Sequence, residues 1–206
     1  MFDIRLSTPH LELRHLTEVD LGTLAAILPD DAEQDPSLTS YPALDPVSTR
    51  GVRVHQDYWR ARGNWRPDSW ALSFGAFREG ELIGYQGLEG EDFATLRTVD
   101  SSSFLIPEVR GQGLGKEMRA AVLALAFGPL DARFTVTSAW SNNYASLGVS
   151  RALGYVDNGF AAHRRGEVAD EMKSLRLTRE QWLRGGWEDQ VTVTGVDSCL
   201  LFFGLS

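Results

Sequence analysis

The sequence predicts an α/β (α+β) domain in which helices flank a sheet, and three observations carry that reading. Apolar residues keep helical spacing over most of the stretch before residue 65, then alternate from Trp70 onward. A charged turn, Arg78-Glu79-Gly80-Glu81, separates two alternating runs, as in a hairpin. Three glycines, Gly111, Gly113 and Gly115, then stand between an alternating segment and an amphipathic one. With 206 residues, 43% of them apolar, the chain can bury a sizeable core unaided. It has no repeat or low-complexity linker, so one domain over residues 1–206 is expected.

Taken in order, Leu11 to Leu16 alternates as a strand. Thr17-Glu18-Val19-Asp20 opens a helix that carries Leu21, Leu24, Ala25 and Leu28. Pro29 and the acids Asp30, Asp31, Glu33 and Asp35 end it, and a loop with Pro36, Pro42 and Pro46 runs to Val47. A second helix, about Thr49 to Arg62, turns Val52, His55 and Trp59 toward the core, with Val54 and Tyr58 as further candidates. The hairpin strands are Trp70–Phe77 and Leu82–Leu88, and a third strand spans about Val99 to Ile106. The amphipathic helix after the glycines presents Leu114, Met118, Ala121, Val122 and Leu125. A strand through Phe134, Val136 and Ser138 reaches Trp140; Asn143 and Gly154 bracket a helix with an apolar face of Ala145, Val149, Ala152 and Leu153. An extra strand segment is expected at about 190–205, at a subunit contact, which implies a homodimer.

Composition excludes several function classes. Cys199 is the only cysteine, which rules out an intramolecular disulfide framework and a multi-cysteine zinc site. His10, His15, His55 and His163 lack metal-ligand spacing, so no metal is expected. The longest apolar run, Ala120 to Phe127, falls far short of the ~20 residues of a membrane span. With no secretion signal at Met1–Arg5, the expected location is cytoplasmic. A net charge of −8 argues against nucleic acid or anionic membrane as partner. Residues 101–155, with 5 Lys+Arg and 3 Asp+Glu, are nevertheless net +2.

That basic stretch contains the informative motif, Arg110-Gly111-Gln112-Gly113-Leu114-Gly115-Lys116. A strand, glycines and a helix amino terminus together bring backbone N–H groups close to a phosphate. Arg110, Lys116 and Arg119 add positive charge. The P-loop pattern fails, because Arg110 stands where its first glycine belongs and Glu117 where Ser or Thr belongs. The dinucleotide pattern fails at Lys116. A tight turn without a ligand is the structural alternative.

Arg110 to Gly115 resembles the pyrophosphate loop of the GNAT N-acetyltransferases, Arg/Gln-x-x-Gly-x-Gly/Ala, and matches every specified position. Asn143, Ser146, Leu153, Gly154 and Tyr155 resemble a second segment of that family, about thirty residues on. Thr8 to Arg14 is similar to the first strand of the ribosomal-protein N-terminal acetyltransferase (RimJ/RimL-like) branch. Val99-Asp100-Ser101, Met118–Leu123 and Val196–Cys199 are similar to an actinobacterial subgroup of it, in which some members use succinyl-CoA.

The resemblance implies a mostly antiparallel sheet with a splayed fourth strand. It implies transfer of an acetyl or succinyl group from acetyl-CoA or succinyl-CoA to a primary amine: a protein N-terminus, a lysine or a small amine. Phe104 and Leu105 would hold the pantetheine; Arg110, Gly111, Gln112, Gly113, Leu114, Gly115 and Lys116 the pyrophosphate; Asn143 and Ser146 the pantetheine arm near the thioester. Many relatives carry a proton-donating tyrosine where this chain has Ser150, so Ser146 is the first candidate acid, with Tyr144 and Tyr155 retained and helix capping as the alternative role. Asp100 is the first candidate base, ahead of Glu89, Glu91 and Asp92. Arg97, Arg164 and Arg165 are candidates to pair with a succinyl carboxylate. The competing functions are a non-catalytic CoA-binding sensory module and a nucleotide binder.

Overall fold

The computed structural model describes residues 3–32 and 41–205. Its strands join in one sheet: β1 (Arg5–Ser7), β2 (Glu12–His15), β3 (Trp70–Arg78), β4 (Glu81–Gly90), β5 (Thr98–Asp100), β6 (Ser103–Leu105), β7 (Phe134–Trp140), β8 (Val156–Arg165), β9 (Val168–Thr178) and β10 (Thr192–Thr194). The order is β10-β1-β2-β3-β4-β5-β7-β9-β8, with β6 also on β4. Every pairing is antiparallel except β5 with β7, over Thr98–Asp100 and Phe134–Val136.

Helices cover both faces. On one lie α1 (Glu18–Ile27) and α2 (Pro46–Gly63), which close a small core of Leu16, Leu21, Leu24 and Tyr58 over Tyr85 and Phe104. A capping box starts α1, with Thr17 and Asp20 satisfying each other's backbone N–H groups. Asp45 caps α2 and Pro46 occupies its first turn, so this helix begins three residues before the expected Thr49. Glu33, Asp35 and Pro36 of the expected loop lie outside the described residues. The buried residue of α2 is Tyr58; Trp59, expected inside, is 53% exposed.

On the other face α4 (Leu114–Phe127) packs under the main core, and from Met118 to Phe127 every residue is buried. α5 (Tyr144–Ala152) buries Leu147 and Ser150, with Leu153 at its C-cap; Ala145 and Ala152, expected on the inner face, are exposed. Short α3 (Phe93–Leu96) and α6 (Arg179–Gly185) complete the helices.

Three further expectations are corrected. The strand expected over Val99–Ile106 is broken at Ser101-Ser102 into β5 and β6. The C-terminal strand is confined to Thr192–Thr194, paired with β1 of the same chain. Cys199, expected in that strand, is buried in a 3-10 turn over Asp197–Phe203.

Candidate active site

The break between β5 and β6 makes the site. Up to Asp100 the chain pairs with β7, whereas β6 pairs only with β4 and the sheet splays open between β6 and β7. Bonds from Gly87 N to Ser102 O (2.7 Å) and from Ile106 N to Ile83 O (3.0 Å) show which residues turn their backbone toward β4. By antiparallel alternation Phe104 does too, so Ser103 and Leu105 turn their amides to the splay. Of the two residues expected to offer amides, Leu105 therefore faces the opening and Phe104 does not.

The floor of the splay is polar. Arg119 of α4 is 3% exposed and reaches Thr137 Oγ1 at 3.3 Å on β7 and Ser103 Oγ at 3.2 Å beside β6. Expected at the mouth of the glycine loop, it is instead a buried guanidinium with no carboxylate ion pair among the described residues. Thr137 also donates to Ser101 O (3.2 Å), and Thr135 donates to the phenol of Tyr155 (2.8 Å). Gln86 Oε1, Ser101 Oγ and Arg119 Nε are buried here without hydrogen-bond partners.

At the mouth, Gly111 (φ 74°) and Gly113 (φ 85°) adopt the left-handed conformation that glycine tolerates best. A Cβ on either would meet nothing within 4 Å, so the space beside the loop is open. Gly113 is the N-cap of α4 and supplies no capping side chain. Lys116 and Glu117 N–H groups bond to Gly113 O (3.1 Å each), while those of Leu114 and Gly115 are left by helix geometry for an outside acceptor. Lys116 Nζ lies 4.7 Å from the Trp187 ring centre. Gln112 is braced by Arg78 (3.1 Å). Arg110 is turned away from the loop: its Nε donates to Leu105 O (2.9 Å), and its fork grips Asp31 at 2.6 and 2.8 Å.

On the far wall Asn143 caps α5 by accepting from Ser146 N (3.0 Å). Val149, on the same helix face as Ser146, comes within 3.7 Å of a Cβ built on Gly115, which turns that face to the first turn of α4. The Ser146 hydroxyl makes no hydrogen bond among the described residues. Ser150 is buried and spends its hydroxyl on Ser146 O (3.0 Å).

On the α1/α2 face Asp100 sits opposite Glu89. Burial pushes its carboxyl up to about 6; the Ser101 amide and Arg119 draw it down and Glu89 pushes it up. Beside this pair is a cavity of about 330 Å³ between α1, α2 and the sheet, reached past Ser102, Ser103 and Phe104. Neither Asp100 nor Glu89 lines it.

The acetyltransferase (GNAT) domain family matches residues 10–156. The chain belongs to this family. Among solved structures, Mycobacterium smegmatis RimJ in complex with CoA-disulfide superposes with a TM-score of 0.71 at 16% identity, covering 92% of this chain and 96% of that one. The ribosomal-protein-S5-alanine acetyltransferase of Vibrio fischeri gives 0.66 at 16%, covering 87% and 99%. A point mutant of the SpeG spermidine N-acetyltransferase of Vibrio cholerae gives 0.65 at 16%, covering 84% and 96%. At such identities the likeness is one of fold.

In this GNAT chain the two retained candidate acids stand in different places. Tyr144 is 79% exposed, whereas Tyr155 is buried in the floor of the splay, where burial raises its phenol and Thr135 donates to it. Arg97 stacks on Phe93, Arg164 is paired with Glu167 and Arg165 with Asp170. Among the described residues no group of three His, Cys, Asp or Glu could hold a metal, and no helix is long and apolar enough to cross a membrane. Sequence reading missed the cavity, whose walls come from five separate segments, and the burial of Arg119. The one local signal for the latter was an arginine inside an otherwise apolar helical run, Met118 to Phe127.

Proposed function

We propose that this GNAT chain is a CoA-dependent N-acyltransferase. The observation that carries the reading is the splay between β6 and β7, with the uncapped start of α4 beside it and a cavity bordered by Ser102, Ser103 and Phe104 on its β6 side. Orphaned polar atoms on its floor and open space beside Gly111 and Gly113 fit a long polar ligand ending in phosphate.

Bound acyl-CoA supplies a thioester whose carbonyl carbon bonds to the amine nitrogen as its bond to sulfur breaks, leaving the thiol of CoA. The residues from Gly111 to Lys116 hold the pyrophosphate. Amides of Ser103 and Leu105 hold the pantetheine and polarise the carbonyl. Asp100, poised near neutrality, receives the amine proton through water, and Ser146, whose hydroxyl is uncommitted, donates to the departing sulfur. Acetyl-CoA is the donor proposed first and succinyl-CoA second. The second donor loses support from the ion-paired Arg164 and Arg165. The proposal retains one domain, a cytoplasmic location and a homodimer.

The test is thermal unfolding with acetyl-CoA, succinyl-CoA or free CoA added. At a hundred-fold excess over Kd, each ligand that binds raises stability by about 2.7 kcal/mol. Gly113→Asp, which puts a carboxylate at the anion site, is expected to abolish the shift. No shift with any of the three overturns the reading.

A further inference from the structure

The cavity beside the splay has a chemistry of its own. At the end near β6 it is lined by hydroxyls: Ser73, Ser102 and Tyr85. Ser73 Oγ and Tyr85 Oη lie 3.3 Å apart, and the absence of a Cβ on Gly87 leaves room for the hydroxyls of Ser102 and Tyr85. Away from β6 the walls are aliphatic and aromatic, with Leu16, Leu21 and Leu24 against Val54, Tyr58 and Phe104. The charged residues in the described lining are Arg50, Arg53 and Asp57. Arg50 is further paired with Asp30, whose side chain is 93% exposed and stands outside the lining.

We propose that the acceptor is a primary amine on an apolar body, carrying no second positive charge. This rests on the acyl-transfer reading above and adds the class of amine. A nucleophile must arrive neutral beside the thioester, and three hydroxyls can orient an amine without holding it as an ammonium. The body behind it then meets leucines and aromatic rings, where apolar surface leaves water. A polyamine would bring a second ammonium among those side chains. Burying that charge is costly unless a carboxylate pairs with it, and Asp57, the carboxylate of the described lining, already lies 3.6 Å from Arg60. A lysine side chain presents its amine on a slim stem that leaves the leucine walls unfilled.

The experiment measures thiol release by the full chain with acetyl-CoA and a panel of amines: leucinamide, phenylethylamine, glycinamide, spermidine and a peptide with one internal lysine. The expected kcat/KM for the first two exceeds that for the other three by about tenfold or more. A tripeptide starting with leucine separates the sources: a rate above that of leucinamide assigns a protein amino terminus, and an equal rate assigns a free amine. Val54→Asp, at a half-buried wall position, is expected to narrow the preference for leucinamide over spermidine at least tenfold. Leu24→Ala, which keeps the wall apolar but enlarges it, is expected to favour phenylethylamine over leucinamide. Equal rates across the panel, or preference for spermidine, overturn this inference and leave acyl transfer standing. No thiol release from any amine, with the acetyl-CoA thermal shift intact, overturns both.

Discussion

Asp100 is pulled in two directions, and both are measurable. An unfolded aspartate gives up its proton near 3.8 and the folded one near 6, so between these values the folded chain holds the extra proton. Stability contributed by this group therefore falls as pH rises through that window. Asp100→Asn is expected to be more stable than the parent above pH 6, by on the order of 1–3 kcal/mol, and equal to it near pH 4, as read from denaturation midpoints. In turnover the parent should lose activity below about pH 6, while the variant loses that limb together with a factor of about 10² to 10⁴ in kcat. The charge of Arg119 lowers the Asp100 carboxyl without an ion pair between them, and Glu89 on β4 opposes it. Arg119→Met should move the acid limb to higher pH, and Arg119→Lys should move it less. A purely structural role for Arg119 would lower stability and leave the limb in place. None of this was legible in the sequence: Asp100 could be ranked by its position after β4, but the positive charge that acts on it sits on a helix nineteen residues later.

The elements divide by how much each owes to its own residues. The change of period at Trp70, the Glu79-Gly80 turn and the glycines before α4 are local signals, and β3, β4 and α4 stand where they predict. The break at Ser101-Ser102 carries no proline or glycine to announce it, and it falls where the pairing changes from β7 to β4 alone. The β8–β9 hairpin gave no periodic signal because β8 is exposed nearly throughout, with Phe160 74% exposed. The break has a checkable consequence at Gly87, where a Cβ would approach Ser102 Oγ to 2.6 Å and Tyr85 Oη to 3.0 Å. Gly87→Ala should displace these hydroxyls and lower kcat/KM for the amine about tenfold, with the CoA thermal shift unchanged. At α1, Thr17→Ala removes a reciprocal cap and should cost about 1 kcal/mol in chemical denaturation.

At the scale of the whole molecule, the charge of −8 and the proposed pyrophosphate site coexist because the positive charges are locally committed. Arg110 is tied to Asp31, Arg119 is buried, and Lys116 lies over Trp187. Among the described residues only β1 pairs with β10, which leaves the outer edge of β10 to the proposed homodimer. A dimer mass by light scattering that falls to a monomer mass on Val193→Lys would place the contact there. The parallel pairing of β5 with β7 bears on how the chain reaches this state. Its two strands are joined through the glycine loop and α4, so they can meet only after that whole crossover has docked beneath the sheet. Such a long closure forgoes chain entropy before any contact rewards it, whereas the β3–β4 hairpin closes across two residues. In pulse-labelled hydrogen exchange during refolding, amides of β3 and β4 should gain protection before those of β5 and β7. The cleft would then be the last part of the sheet to take shape, and the first to be lost when the protein is stressed.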